Sequence, residues 1–211
     1  MTSAISSLTP PDSPICRKAE LLLQEVLPRQ LRNHSYRTFY LGELVGDRNG
    51  VCCDRELLYL SSLLHDLGLT DKYDGDLRFE VRGADAAREF VKAHGLSDDK
   101  AETLWDAIAL HTAPGIADRK GPEAALVQLG AACDIMGVAY EQVGAAQVDA
   151  VIAEFPREGI QKYFLEQILR EVMDHPTAVS ATWMADVGRQ SLPEVGCPTW
   201  ADQIRASPYS G

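Results

Sequence analysis

The chain has 211 residues, 45% of them hydrophobic, enough apolar material for a sizeable core in one domain. A formal charge of −11 at pH 7 argues against a nucleic-acid backbone or an anionic membrane as the main partner. No apolar run is long enough to span a bilayer, the N-terminus lacks the pattern of a signal peptide, and five cysteines without CxxC spacing fit neither a disulfide framework nor a thiolate zinc site, so a cytoplasmic protein with reduced thiols is expected.

Residues 1–14 are rich in Ser, Thr and Pro with little periodicity, which predicts a loose N-terminal arm. A short helix is expected over residues 17–27, stopped by Pro28. Asn33 is a candidate N-cap for the next helix, running to about Val45 before Gly46 and placing His34 in its first turn.

Residues 54–70 organise the rest. Leu57, Leu60, Leu64 and Leu67 recur at helical spacing, giving a buried amphipathic helix with Asp54 as N-cap and Gly68 as its stop. His65 and Asp66 are adjacent near its end. Successive side chains point roughly 100° apart around a helix, so both reach one ion only if the helix ends there. An acid near a helix C-terminus opposes the macrodipole, and among leucines it is costly to bury unpaired. A metal cation removes both objections.

Polar residues 71–78 form a loop after the doublet. A helix follows over residues 83–94, then another that starts at Ser97 and carries Leu104, Ile108 and His111. Pro122 opens a long apolar helix over residues 123–140 with Asp134 in its middle. A carboxylate in so apolar a helix calls for a partner or an ion. Further helices are expected over residues 147–154, 161–174 and 177–187, and then a tail from Ser191, with Trp200 the candidate to pin it. No strand alternation, repeat or GxxxxGK[ST], GxGxxG or GxSxG motif occurs. The expected fold is all-α, with a domain over residues 15–190 between irregular arms at 1–14 and 191–211.

His34, His65, Asp66 and Asp134, on three helices, offer two nitrogen and two oxygen donors, suited to zinc or iron with an open position for water. The order His, then His-Asp, then Asp resembles the HD superfamily of metal-dependent enzymes. Five ordered blocks carry the resemblance further: residues 33–40 (NHSYRTFY), 63–68 (LLHDLG), 78–84 (RFEVRGA), 108–112 (IALHT) and 130–137 (GAACDIMG). Together they are similar to the cyanamide hydratase branch.

That resemblance implies an HD-domain helical bundle and a hydro-lyase that hydrates cyanamide, or a similar small nitrile, to urea by attack of metal-bound hydroxide. It implies one divalent metal, zinc first and Fe(II) second, held by His34, His65, Asp66 and Asp134. It assigns His111 as proton donor or relay and Asp66 as orienter of the attacking water. It draws Arg37, Lys72, Phe79, Glu80 and Thr112 to the substrate, although Glu80 taken alone reads as a surface acid. Phe79-Glu80 stands where dinuclear HD enzymes generally present a further histidine, and Leu69 where nucleotide-directed members are often acidic. A nucleotide phosphohydrolase stays open as the alternative, with Arg37, Lys72, Arg78 and Arg82 as candidate phosphate holders, as does a dinuclear iron oxygenase. The expected partner is a small-molecule substrate, neither nucleic acid nor membrane, with a homodimer as the default assembly.

Overall fold

The computed structural model describes residues 9–208, so most of the expected N-terminal arm lies outside the described residues. Among those described, helices are joined by turns and no strand occurs. No helix among the described residues is long and apolar enough to cross a membrane. The chain divides into two compact units, one running up to Asp74 and continuing over Phe79–Ile160, the other made of Gly75–Arg78 and the chain from Gln161 onward.

The first unit begins with α1 (Pro14–Val26), whose N-terminus is capped by Ser13 Oγ accepting from the Cys16 amide. The long α2 (Arg29–Asn49) follows and ends on Gly50 in the left-handed region, φ 67°. It starts four residues before Asn33, because Pro28 fixes the turn that launches it. Asn33 therefore lies inside the helix and sends its amide elsewhere. Next comes α3 (Arg55–Leu64), where Asp54 Oδ1 accepts from the amides of Glu56 and Leu57 as its sequence predicts.

The helices α4 (Phe79–Ala93) and α5 (Asp98–Ala109) pack as a pair. The one-turn α6 (Ala117–Lys120) leads into α7 (Pro122–Met136), which stops earlier than expected because Gly137 turns left-handed at φ 75°. Two further pieces, α8 (Tyr140–Val143) and α9 (Ala145–Glu154), complete the unit.

Helix α3 sits at the centre, against α1, α2, α5 and α7. Its residues Leu58, Leu60, Leu63 and Leu64 are fully buried. The largest packing partnership is α2 on α7. It is closest at Gly130, where a Cβ would collide with the Thr38 carbonyl oxygen of α2. Contact this tight fixes the separation of the two helices.

The second unit holds most of α10 (Ile160–Asp174), then α11 (Pro176–Val179), α12 (Trp183–Ser191) and α13 (Trp200–Arg205). The single helix expected over residues 177–187 is broken, with Ala181 at φ 57°. The tail carries a short helix opened by a Thr199–Asp202 capping box. Trp200 is 66% exposed and does not pin it.

Candidate metal centre

Helix α3 ends at Leu64, and His65 follows in helical backbone while Asp66 leaves it at φ −101°, ψ 14°. The next residues, Leu67–Leu69, form a 3₁₀ turn. At Gly68 a Cβ would collide with the Phe79 carbonyl oxygen at the start of α4, so only glycine lets the turn approach so closely. Arg82 of α4 donates from Nη2 to the Gly68 carbonyl at 2.7 Å and holds the turn down. The doublet is thereby presented at a helix end, with both side chains fully buried.

Three imidazoles converge on the Asp66 carboxylate. His65 Nε2 lies 3.3 Å and His34 Nε2 3.7 Å from Oδ2, while His111 Nε2 is 3.8 Å from Oδ1. The Nε2 atoms of His34 and His65 stand 3.2 Å apart. Each ring's other nitrogen has an oxygen acceptor: Ser62 O for His65 at 2.7 Å, Ile108 O for His111 at 2.6 Å, and Asp134 Oδ2 for His34 at 2.7 Å. The two carbonyls can only accept, so they hold the proton on Nδ1 of His65 and His111 and leave their Nε2 lone pairs facing the carboxylate, while His34 turns Nδ1 to Asp134 and Nε2 to Asp66. Among the described residues, neither Asp66 oxygen has a hydrogen-bond donor.

A buried carboxylate ringed by lone pairs is repulsive as it stands, and a cation is what such a set fits. His34, His65 and Asp66 have donor atoms all within 4.8 Å of one another and form a buried group able to hold a metal ion. The protonation energetics agree in direction. Burial, with the neighbouring His34, pulls His65 down to about 3, and burial together with His65 pulls His111 down to about 4. Burial pushes Asp66 up. Each shift disfavours the charged form in a site without a compensating ion.

Asp134, expected as a fourth ligand, is placed differently. Its Oδ1 accepts from Arg37 Nε at 2.8 Å and Arg157 Nη1 at 2.6 Å, and its Oδ2 from Arg37 Nη2 at 2.8 Å besides His34. Burial alone would raise this carboxyl, but the hydrogen bonds from His34 and Arg37 outweigh it and hold it well below the usual range. Both oxygens are thus occupied, on the Nδ1 side of His34, away from the atom that faces Asp66. The donor set assembled here is His34, His65 and Asp66, with Asp134 behind His34.

The residues expected at the substrate divide. His111 joins the cluster, its ring 4.8 Å from that of His65 and edge-on to buried Phe79 at 5.7 Å. Glu80 is fully buried, so its reading as a surface acid is overturned, and Thr112 Oγ1 donates to its Oε1 at 2.7 Å. Arg37 is buried and committed to Asp134 and to the carbonyls of Phe155 and Pro156. Lys72 is half exposed, with its ammonium 2.8 Å from Glu25. Sequence reasoning missed Arg157, which follows a Pro in a loop with no periodicity to mark it.

Residues 31–136 match the family model described as the HD domain. Two relatives from Saccharomyces cerevisiae, named cyanamide hydratase DDI2 and cyanamide hydratase DDI3, are each 30% identical over 156 residues, covering 70% of this chain and 68% of theirs.

Proposed function

Because this chain belongs to the HD domain family of metal-dependent enzymes, we propose that it hydrates cyanamide to urea, or a similar small nitrile to its amide, at a centre held by His34, His65 and Asp66. The observation that carries the reading is the Asp66 carboxylate, buried with no hydrogen-bond donor among the described residues and faced by three imidazole Nε2 atoms. A divalent ion there supplies Lewis acidity and makes hydroxide available near neutral pH. In the net reaction the water oxygen would bond to the nitrile carbon as the carbon–nitrogen triple bond gives up one electron pair to nitrogen, and once that nitrogen is protonated the remaining oxygen proton would shift to it to give the amide.

That nitrogen needs a proton. His111 would relay one, because Ile108 O fixes its Nδ1 proton and leaves the Nε2 lone pair beside Asp66 Oδ1 to take the proton that the attacking water sheds and pass it to that nitrogen. Asp66 orients the attacking water. Phe79 closes the apolar side of His111, and the Thr112–Glu80 pair offers polar groups for the amino end of the substrate. Three of the four candidate phosphate holders of the alternative phosphohydrolase reading, Arg37, Lys72 and Arg82, are engaged by Asp134, Glu25 and Gly68 O, which favours the hydratase over it. No cation among these three is left aimed at a phosphate.

The test measures urea from cyanamide and phosphate from nucleoside monophosphates in parallel, with metal content determined in each sample. Urea without phosphate is expected. His111→Ala is expected to keep its metal and lose on the order of 10²-fold in rate, the scale of a proton-transfer group. Phosphate with no urea overturns the hydratase reading.

A further inference from the structure

Where α9 ends, residues 155–158 lie along α2 as a strap. The Phe155 ring stacks on Tyr36 at 4.8 Å and on Tyr40 at 5.5 Å. The Pro156 carbonyl accepts from Asn33 Nδ2 at 2.8 Å and Arg37 Nη1 at 3.1 Å, and Glu158 pairs with Arg29 at 3.0 Å. Residues 29, 33, 36, 37 and 40 repeat at three- and four-residue spacing, so a single face of α2 holds the strap. Between these anchors the strap delivers Arg157, whose Nη1 donates both to the Asp134 backbone carbonyl and to Asp134 Oδ1, each at 2.6 Å.

We propose that Arg157 is a positioning residue for the metal centre: from the strap it fixes Asp134, which fixes the His34 ring and so aims Nε2 at Asp66 and His65. The inference rests on the metal reading above and adds to it a residue that touches neither ion nor substrate. Arg37 alone fills one donor position on each Asp134 oxygen, and it comes from the same helix as His34. Arg157 comes from a different segment and also grips the backbone, so it stops the carboxylate rotating about its side-chain bonds. Partners of this kind, one shell behind a ligating histidine, change metal affinity by about 10- to 100-fold when removed.

A guanidinium near a cation site also repels the cation, so orientation and charge predict opposite signs. Orientation is expected to win, since the Arg157 side chain is 29% exposed and water screens its charge. The experiment is cobalt(II) titration of the metal-free full chain against a chelator, for wild type, Arg157→Gln and Arg157→Lys, with the cobalt visible spectrum and the metal-free melting temperature recorded for each. Arg157→Gln is expected to bind cobalt about 10- to 100-fold more weakly with an altered spectrum, and Arg157→Lys to recover part of that loss, while the metal-free melting temperatures stay close to wild type. Equal or tighter binding by Arg157→Gln overturns the proposal, as does weaker binding matched by a collapse of the metal-free fold in both variants. Wild-type protein that takes up no cobalt removes the metal reading and this inference with it, whereas loss confined to the variants separates the two.

Discussion

At Asp66 two carboxylate oxygens are fully buried among imidazole lone pairs with no donor directed at them. A buried polar group left unsatisfied costs about 1–3 kcal/mol, and more when charged. Asp66→Asn replaces one oxygen with an NH₂ able to donate to the Nε2 atoms of His34 and His65. The metal-free variant is therefore expected to melt several degrees higher than metal-free wild type, while losing metal binding; calorimetry showing an equal or lower melting temperature would count against the orphaned-carboxylate account. The histidines add a pH dependence. His65 and His111 sit at about 3 and about 4 in the fold, against about 6.5 in an unfolded chain. Between those values the unfolded chain binds protons that the fold refuses, so their contribution is fully present above about pH 6.5 and is lost as pH falls toward 4. Asp66, raised by burial, has the opposite sign and offsets part of the loss. The net expectation is a metal-free melting temperature that falls on acidification from pH 7 to 4.5, with a steeper fall for the metal-loaded protein, whose ligands must stay deprotonated and so lose the ion as protons compete for them. A metal-free melting temperature independent of pH over that range would refute it.

At the scale of elements, the site depends on how α2 and α7 cross, because α2 carries His34 and Arg37 and α7 carries Asp134. Gly130→Ala would push a methyl into the Thr38 carbonyl oxygen, and overpacking of a close contact costs about 1–3 kcal/mol. The variant is expected to lower the urea or guanidinium midpoint and weaken metal binding together; a stability loss with unchanged cobalt affinity would show that the crossing does not set the site. The elements also show what a sequence makes legible. The Asp54 cap, the leucine face of α3 and the helix end at His65-Asp66 follow from neighbours within a few residues, and they could be read directly. Asn33 looks like the cap of α2, whereas its amide lies inside the helix and reaches Pro156 more than a hundred residues away. Asp134 was legible as an anomaly but not as a contact of Arg157, since that pairing depends on where a loop returns. The break at Ala181 left no sequence signal, because an alanine at positive φ imitates a helix former.

Across the whole molecule, the donor set, His111 and the Arg157 strap all fall within the first compact unit, as does the HD match over residues 31–136 apart from Gly75–Arg78. A ligand that binds the folded form stabilises it by about 2.7 kcal/mol at a hundredfold excess over its Kd. Hydrogen exchange is therefore expected to slow in α2, α3 and α7 when metal is added, with α11, α12 and α13 of the second unit little changed. Protection spread evenly over both units would mean that the ion acts on the whole chain rather than on one part of it.

The lone pairs around Asp66 have a consequence for metal traffic. Two imidazole nitrogens and a carboxylate rank the first-row divalent ions in the usual order, with copper above zinc and zinc above ferrous iron. Offered all of them at equal activity, such a pocket loads copper. The ion it carries is then decided by what its surroundings deliver while the chain folds, and a preparation's metal history becomes part of its chemistry.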